Sequence, residues 1–148
     1  MPYPRKGQFL TFSVTFKIDG EPVPKGRPRF TRQGRTYTPK KTHDYEAKVA
    51  ECAKMAMGSS EPLETPVAVF VYVTYAVPSS YSKKRREDCL SGIEKHTKRP
   101  DLDNCIKAIT DGMNAVVYKD DSQITSIHAT KVYGTDSMVE VFIQENLG

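Results

Sequence analysis

Residues 67–77 read VAVFVYVTYAV, eleven residues without a charge, with Pro66 before them and Pro78 after. Both alternating faces are built from β-branched and aromatic side chains, the pattern of a strand covered on both sides. A membrane-spanning helix needs about 20 apolar residues, so the run predicts no membrane span. It predicts a central strand, and a central strand commits the chain to a sheet.

Other strands follow from period two. Over residues 8–19, Phe12, Val14, Phe16 and Ile18 alternate with Ser13, Thr15 and Lys17, which predicts a half-buried strand. Residues 123–133 and 138–144 predict two more, joined as a hairpin by Gly134, Thr135, Asp136 and Ser137. Between the strands the period changes. Tyr45, Val49, Cys52 and Ala56 mark a helix over residues 42–57, with Thr42 or Asp44 as cap and Gly58 as stop. Ile106, Ile109, Met113 and Val116 mark a second over residues 104–116. Pro22, Pro24 and Pro28 keep EPVPKGRPRF out of any helix and predict an exposed loop. Residues 78–99 are polar and basic, a surface segment with a short helix near residues 85–90. The expectation is one domain over residues 1–148, of mixed α/β class, with two main helices on a small mixed sheet.

The N-terminal MPYPRKGQFL has no long apolar stretch and no small-residue cleavage site, which argues against a secretory signal. Cys52, Cys89 and Cys105 are odd in number and form no CxxC pair, and His43, His96 and His128 lack zinc-ligand spacing. Reduced thiols in a cytoplasmic protein are the plain expectation.

A net charge of +4 says little until its distribution is followed. Residues 25–41, KGRPRFTRQGRTYTPKK, hold seven basic residues and no acid, whereas residues 101–121 hold five of the chain's 18 acids, all aspartates. A basic surface beside an aspartate cluster suits a metal-dependent enzyme that acts on a polyanion.

The cluster lies in RPDLDNCIKAITDGMNAVVYKDDSQI, residues 99–124. Pro100 favours extended geometry before it, and if extension persists through Asp101, Leu102 and Asp103, the two carboxylates share one side. Two such charges about 4 Å apart repel by roughly 4 kcal/mol at an effective dielectric of 20, so the pair calls for a cation. Asp103, Lys107 and Asp111 recur every four residues, on a helix face away from the apolar stripe, and Asp120-Asp121 follows at a turn that can fold back. Each element has a plain structural reading: Asp103 as a helix cap, Lys107 and Asp111 as a surface ion pair, Asp120-Asp121 as a turn. Their convergence favours a site for Mg²⁺ or Mn²⁺, with Asp111 in an outer, structural position.

DLDNCIKAITDGMN followed by VVYKDDSQI resembles the signature of the RusA-like Holliday-junction resolvases, DxDNxxKxxxDxxN and then a DD-x-Q turn. The VPKGRPRF loop and the polar segment ending in His96 and Arg99 are similar to the family's longer Gram-positive-type members. The resemblance implies a homodimer that nicks two strands of a four-way DNA junction with Mg²⁺ or Mn²⁺. Carried over by position, Asp101, Asp103 and Asp121 match the metal-binding catalytic carboxylates and Lys107 the essential lysine, with Asp120 and Asp111 in supporting places. Chemically, Lys107 sits one turn from Asp103 and can add charge to a phosphate in the transition state.

For the DNA surface, Lys25, Arg27, Arg29, Arg32 and Arg35 interleave with Phe30 and Tyr37, offering phosphate contacts and stacking on unpaired bases. Lys83, Lys84, Arg85 and Arg86 form a second, lesser basic candidate beside Glu87 and Asp88. Phe9, Phe12, Phe16 and residues 67–77 fall to core or dimer contacts. Two rival functions remain open: a nuclease preferring flaps or forks, and a branched-DNA-binding module without catalysis.

Overall fold

A computed structural model describes residues 11–26 and 29–148, the side chain of Arg29 excepted. Phe9 and Arg27 therefore lie outside the described residues. The elements are β1 (Ser13–Asp19), β2 (Arg29–Phe30), β3 (Thr36–Tyr37), α1 (Lys40–Met57), β4 (Val67–Ala76), α2 (Lys83–Ser91), α3 (Leu102–Gly112), β5 (Ile124–Gly134) and β6 (Met138–Glu145). The class is mixed α/β, as the alternation of periods predicts.

Four strands form the sheet in the order β1-β6-β4-β5, with β4 parallel to β5 and antiparallel to β6. The uncharged run is thus an inner strand. The expected hairpin is not formed: β5 and β6 run along opposite edges of β4, and their short connection passes over the end of that strand. There Ser137 Oγ accepts from the Ala76 amide at 2.9 Å, and the Gly134 carbonyl accepts from the Val77 amide at 3.1 Å. A Cβ at position 134 would stand 2.5 Å from Thr74 Cγ2, so any larger residue would force Thr74 to shift. A short turn-like connection reads as a hairpin because local sequence carries no sign of a third strand inserted between its arms.

One face of the sheet is the core face. Val14, Phe16 and Ile18, then Val139, Val141 and Ile143, then Val69, Val71 and Val73 line up in register and are buried. Onto them pack Tyr45, Val49, Ala53 and Met57 of α1 and Ala108 and Ile109 of α3. The stripe of α1 is therefore rotated from the expected one: Ala53 and Met57 are buried, while Cys52 is half-buried and Ala56 exposed. On the other face Phe70 packs in tilted contact against Phe142 and His128, and Tyr72 remains 40% exposed. Helices cover β4 on one side only, which departs from the reading of a strand covered on both.

The proline-rich segment is less free than a solvent loop. Pro22 is buried, Thr42 Oγ1 accepts from the Gly26 amide at 2.9 Å, and the Lys25 amide donates to the Asn104 carbonyl at 3.0 Å. These bonds tie it across the start of α1 to α3.

Candidate active site

Asp101 occupies the N-cap position of α3 with extended dihedrals, φ −67° and ψ 139°, and its side chain makes no capping bond. Extension stops there. The helix begins at Leu102, two residues before the predicted start, so Asp103 stands in the first turn rather than on a strand. Both carboxylates are exposed at the positive end of the helix dipole, a favourable place for negative charge. A groove beside Asp101 is lined by Pro24, Lys25, Arg99, Pro100 and Asn104.

Lys107, one turn after Asp103, donates to Asp111 Oδ1 at 3.0 Å and lies 3.6 Å from Asp121 Oδ2. The second oxygen of Asp111 is 3.1 Å from Lys25 Nζ, and Lys25 also donates to Glu46 Oε1 at 2.6 Å. Five charges of alternating sign, Glu46, Lys25, Asp111, Lys107 and Asp121, thus connect α1, the proline-rich segment, α3 and the turn before β5. The hydrogen bond to Asp111 raises the Lys107 ammonium above its ordinary value, with burial working against it. At Lys25 burial lowers, but the bonds to Glu46 and Asp111 outweigh it and the net shift is upward. The structure consequently places Lys25, read from sequence as a DNA contact, between two acids.

The second aspartate pair is divided by the geometry. Asp120 caps the 3₁₀ turn Asp121–Gln123: its side chain accepts from the Ser122 amide at 3.0 Å, and Gln123 Oε1 accepts from the Asp120 amide at 2.9 Å. The bond to Ser122 holds the Asp120 carboxyl below the usual range. Gln123 is itself anchored, donating to the Leu63 and Thr65 carbonyls at 2.8 and 2.9 Å. Asp120 therefore shapes the turn and Asp121 faces Lys107.

Among the described residues, no three His, Cys, Asp or Glu side chains converge closely enough to enclose a metal ion. Asp101 and Asp103 instead offer exposed carboxylates at the start of α3, and Asp121 a half-exposed one beside Lys107. An oxygen-only, partly open donor set fits Mg²⁺ or Mn²⁺, which bind through one or two carboxylates and retain water.

The basic residues separate into two groups. β2 and β3 form a small hairpin closed by the Thr31 amide donating to the Arg35 carbonyl at 2.7 Å, and it lifts Phe30 to 74% and Tyr37 to 48% exposure. Arg32 and Arg35 are exposed on the same projection. In the second patch, Ser82 caps α2, Lys84 pairs with Asp88 at 3.0 Å, and Arg85 pairs with Glu94 at 3.0 Å while covering the Tyr81 ring at 3.7 Å. Lys83 is exposed and Arg86 half-buried on that helix.

Sequence reasoning passed over Glu46 and Lys131, each a lone charge on a helix or strand with no local sign of a partner. Lys131 Nζ donates to the Lys98 and Pro100 carbonyls at 2.8 and 3.2 Å. His96 stacks on Tyr75 with ring centroids 4.2 Å apart, and its Nδ1 is buried without a hydrogen-bond partner. Burial, with Lys131 and Lys98 nearby, pushes its pKa down. Cys105 is buried against Tyr75, and burial pushes its thiol up, away from nucleophilic use.

Comparison with known proteins finds relatives along most of the chain. Across 138 aligned residues the chain is 36% identical to the uncharacterized protein YqaN of Bacillus subtilis (strain 168), covering 89% of this chain and 96% of that protein. It is 29% identical over 140 residues to the crossover junction endodeoxyribonuclease rusA of Lactococcus phage r1t, covering 92% and 99%. The model of the family Endodeoxyribonuclease RusA matches residues 19–144, which take in all of α1, α3, the 3₁₀ turn, β4 and β5, and all but the last residue of β6. The chain belongs to the RusA endodeoxyribonuclease family.

Proposed function

We propose that this chain is a Mg²⁺- or Mn²⁺-dependent endonuclease that resolves four-way DNA junctions by symmetric phosphodiester hydrolysis in recombination and repair. The observation that carries the reading is the 3.6 Å approach of Lys107 to Asp121, which joins two acidic segments at one flank of α3. Asp101, Asp103 and Asp121 would hold the ion, with Asp111 and Asp120 supporting Lys107 and the turn. When bound, the ion lowers the pKa of the attacking water and offsets charge on the phosphate. Lys107, a cation at neutral pH whose ammonium Asp111 further favours, meets the non-bridging oxygens as charge builds there.

Arg32 and Arg35 contact phosphates while Phe30 and Tyr37 stack on bases unpaired at the crossover. Arg27, Arg29, Lys83, Lys84, Arg85 and Arg86 extend that basic surface, and Arg99 borders the groove beside Asp101. Two opposed cuts require two active sites, so the working unit is a twofold homodimer of the single domain formed by residues 1–148.

The test is cleavage of a labelled four-way junction with Mg²⁺, beside linear duplex and flap controls, for the wild type and Asp103→Asn. The expected result is paired nicks near the crossover, reduced in the variant by more than about 100-fold, beyond the loss of an outer-shell partner, with junction binding retained. Flap-only cutting would move the function to flap or fork processing. Binding without product on any substrate would leave a branched-DNA-binding module.

A further inference from the structure

Lys131 stands in register with Val73, which in turn pairs with Val139, so its side chain rises from the sheet face that packs on the helices. A lysine in a row of buried valines must carry its ammonium elsewhere, and its stem is long enough to do so. The ammonium reaches the segment entering α3 and donates to the carbonyls of Lys98 and Pro100. Those two acceptors flank Arg99, and Pro100 is followed directly by Asp101. Proline has no amide hydrogen, so this stretch cannot anchor itself through that position. On its far side Asp101 is held by the helix, its carbonyl accepting from the Cys105 amide at 3.2 Å.

We propose that Lys131 is a positioning residue: by gripping the backbone on both sides of Arg99 it presets the Asp101 carboxylate for the divalent ion. The inference rests on the reading of Asp101 as a metal ligand. Both of these partners are backbone carbonyls, so the interaction is a clamp on the chain path, not a charge-neutralising pair. Arginine, with several donors, can replace it; methionine, of similar length, cannot.

The experiment compares full-length wild type, Lys131→Met, Lys131→Arg and Asp101→Asn. Backbone order at residues 101–103 is read by ¹⁵N relaxation without metal, Mn²⁺ affinity by electron paramagnetic resonance without DNA, and junction binding in Ca²⁺. In the wild type the order parameters should lie near 0.85, and in Lys131→Met they should move toward the flexible range below about 0.6. Mn²⁺ affinity should fall about tenfold, the loss typical of an outer-shell partner, with junction binding unchanged and both effects reversed in Lys131→Arg. Lys131→Gln, with a neutral amide donor on a shorter stem, should give an intermediate loss and serves if the methionine variant does not fold. If Lys131→Met changes neither order nor affinity while Asp101→Asn loses Mn²⁺, the inference falls and the metal reading stands. If Asp101→Asn binds Mn²⁺ like wild type, both fall. Weakened junction binding with unchanged order would make Lys131 a DNA contact and overturn its positioning role.

Discussion

Asp111 is shared by two lysines, one on each carboxylate oxygen, and its side chain is only 15% exposed. Asp111→Asn keeps the volume and removes the charge, leaving Lys25 to Glu46 and Lys107 to Asp121. The expected loss of stability is about 1.5–3 kcal/mol, the range for hydrogen bonds to charged groups, read from the urea midpoint. Cleavage should fall as well, because Lys107 then leans on Asp121. His96 gives a pH prediction. Its folded pKa lies below the ordinary 6.5 because burial disfavours the charged ring. Above pH 6.5 the imidazole is neutral in folded and unfolded chains alike. Below it the unfolded chain takes up a proton that the folded chain resists, so stability drops as pH falls from 6.5 toward the folded value. His96→Phe, which keeps a ring on Tyr75, should flatten the urea midpoint between about pH 7 and 5. The shared helix face of Lys107 and Asp111 was legible in sequence because a spacing of four is local to one helix. Lys25 was not: its partners are 21 and 86 positions away, and an unopposed basic run reads as a free surface.

At the scale of elements, α1 and α3 meet at a glycine. A Cβ at Gly112 would stand 2.8 Å from Val49 Cβ and 2.9 Å from the Glu46 carbonyl oxygen, and the latter is backbone that cannot swing aside. Gly112→Ala should therefore push the helices apart, cost about 1–3 kcal/mol, and lower the thermal midpoint. Because Glu46 lies in that contact, the shift should also disturb the Lys25 and Asp111 bonds. Helical spacing located both helices, but which stripe faces inward was settled by the partners. Tyr45, Val49 and Ala53 are as regularly spaced as the predicted set, and alanine and cysteine are small enough to lie on either side. The β2–β3 hairpin left little trace in sequence, since its strands are two residues each.

For the whole molecule, the face of the sheet opposite the helices is where the proposed homodimer is expected to meet. It carries Phe70, Tyr72 and Phe142, with Lys17 and Glu140 in register across β1 and β6. Tyr72→Glu should convert a wild-type dimer into a monomer of 16.6 kDa by light scattering, with its circular dichroism unchanged. A wild-type monomer, or a variant that still dimerises, would remove this face from the assembly. No helix is long and apolar enough to cross a membrane among the described residues, in line with the short apolar run. By itself the sequence determined the inner strand, the two main helices, the mixed class and the acidic motif, because each depends on the period or spacing of neighbouring residues. The tertiary structure alone decided that β4 separates β5 from β6, that Asp120 shapes a turn while Asp121 faces Lys107, that Lys25 lies between Glu46 and Asp111, and that Lys131 reaches the Lys98 and Pro100 carbonyls. Those outcomes depend on contacts between residues far apart in the chain, where hydrogen-bond partners and burial are fixed only once the sheet and helices have packed.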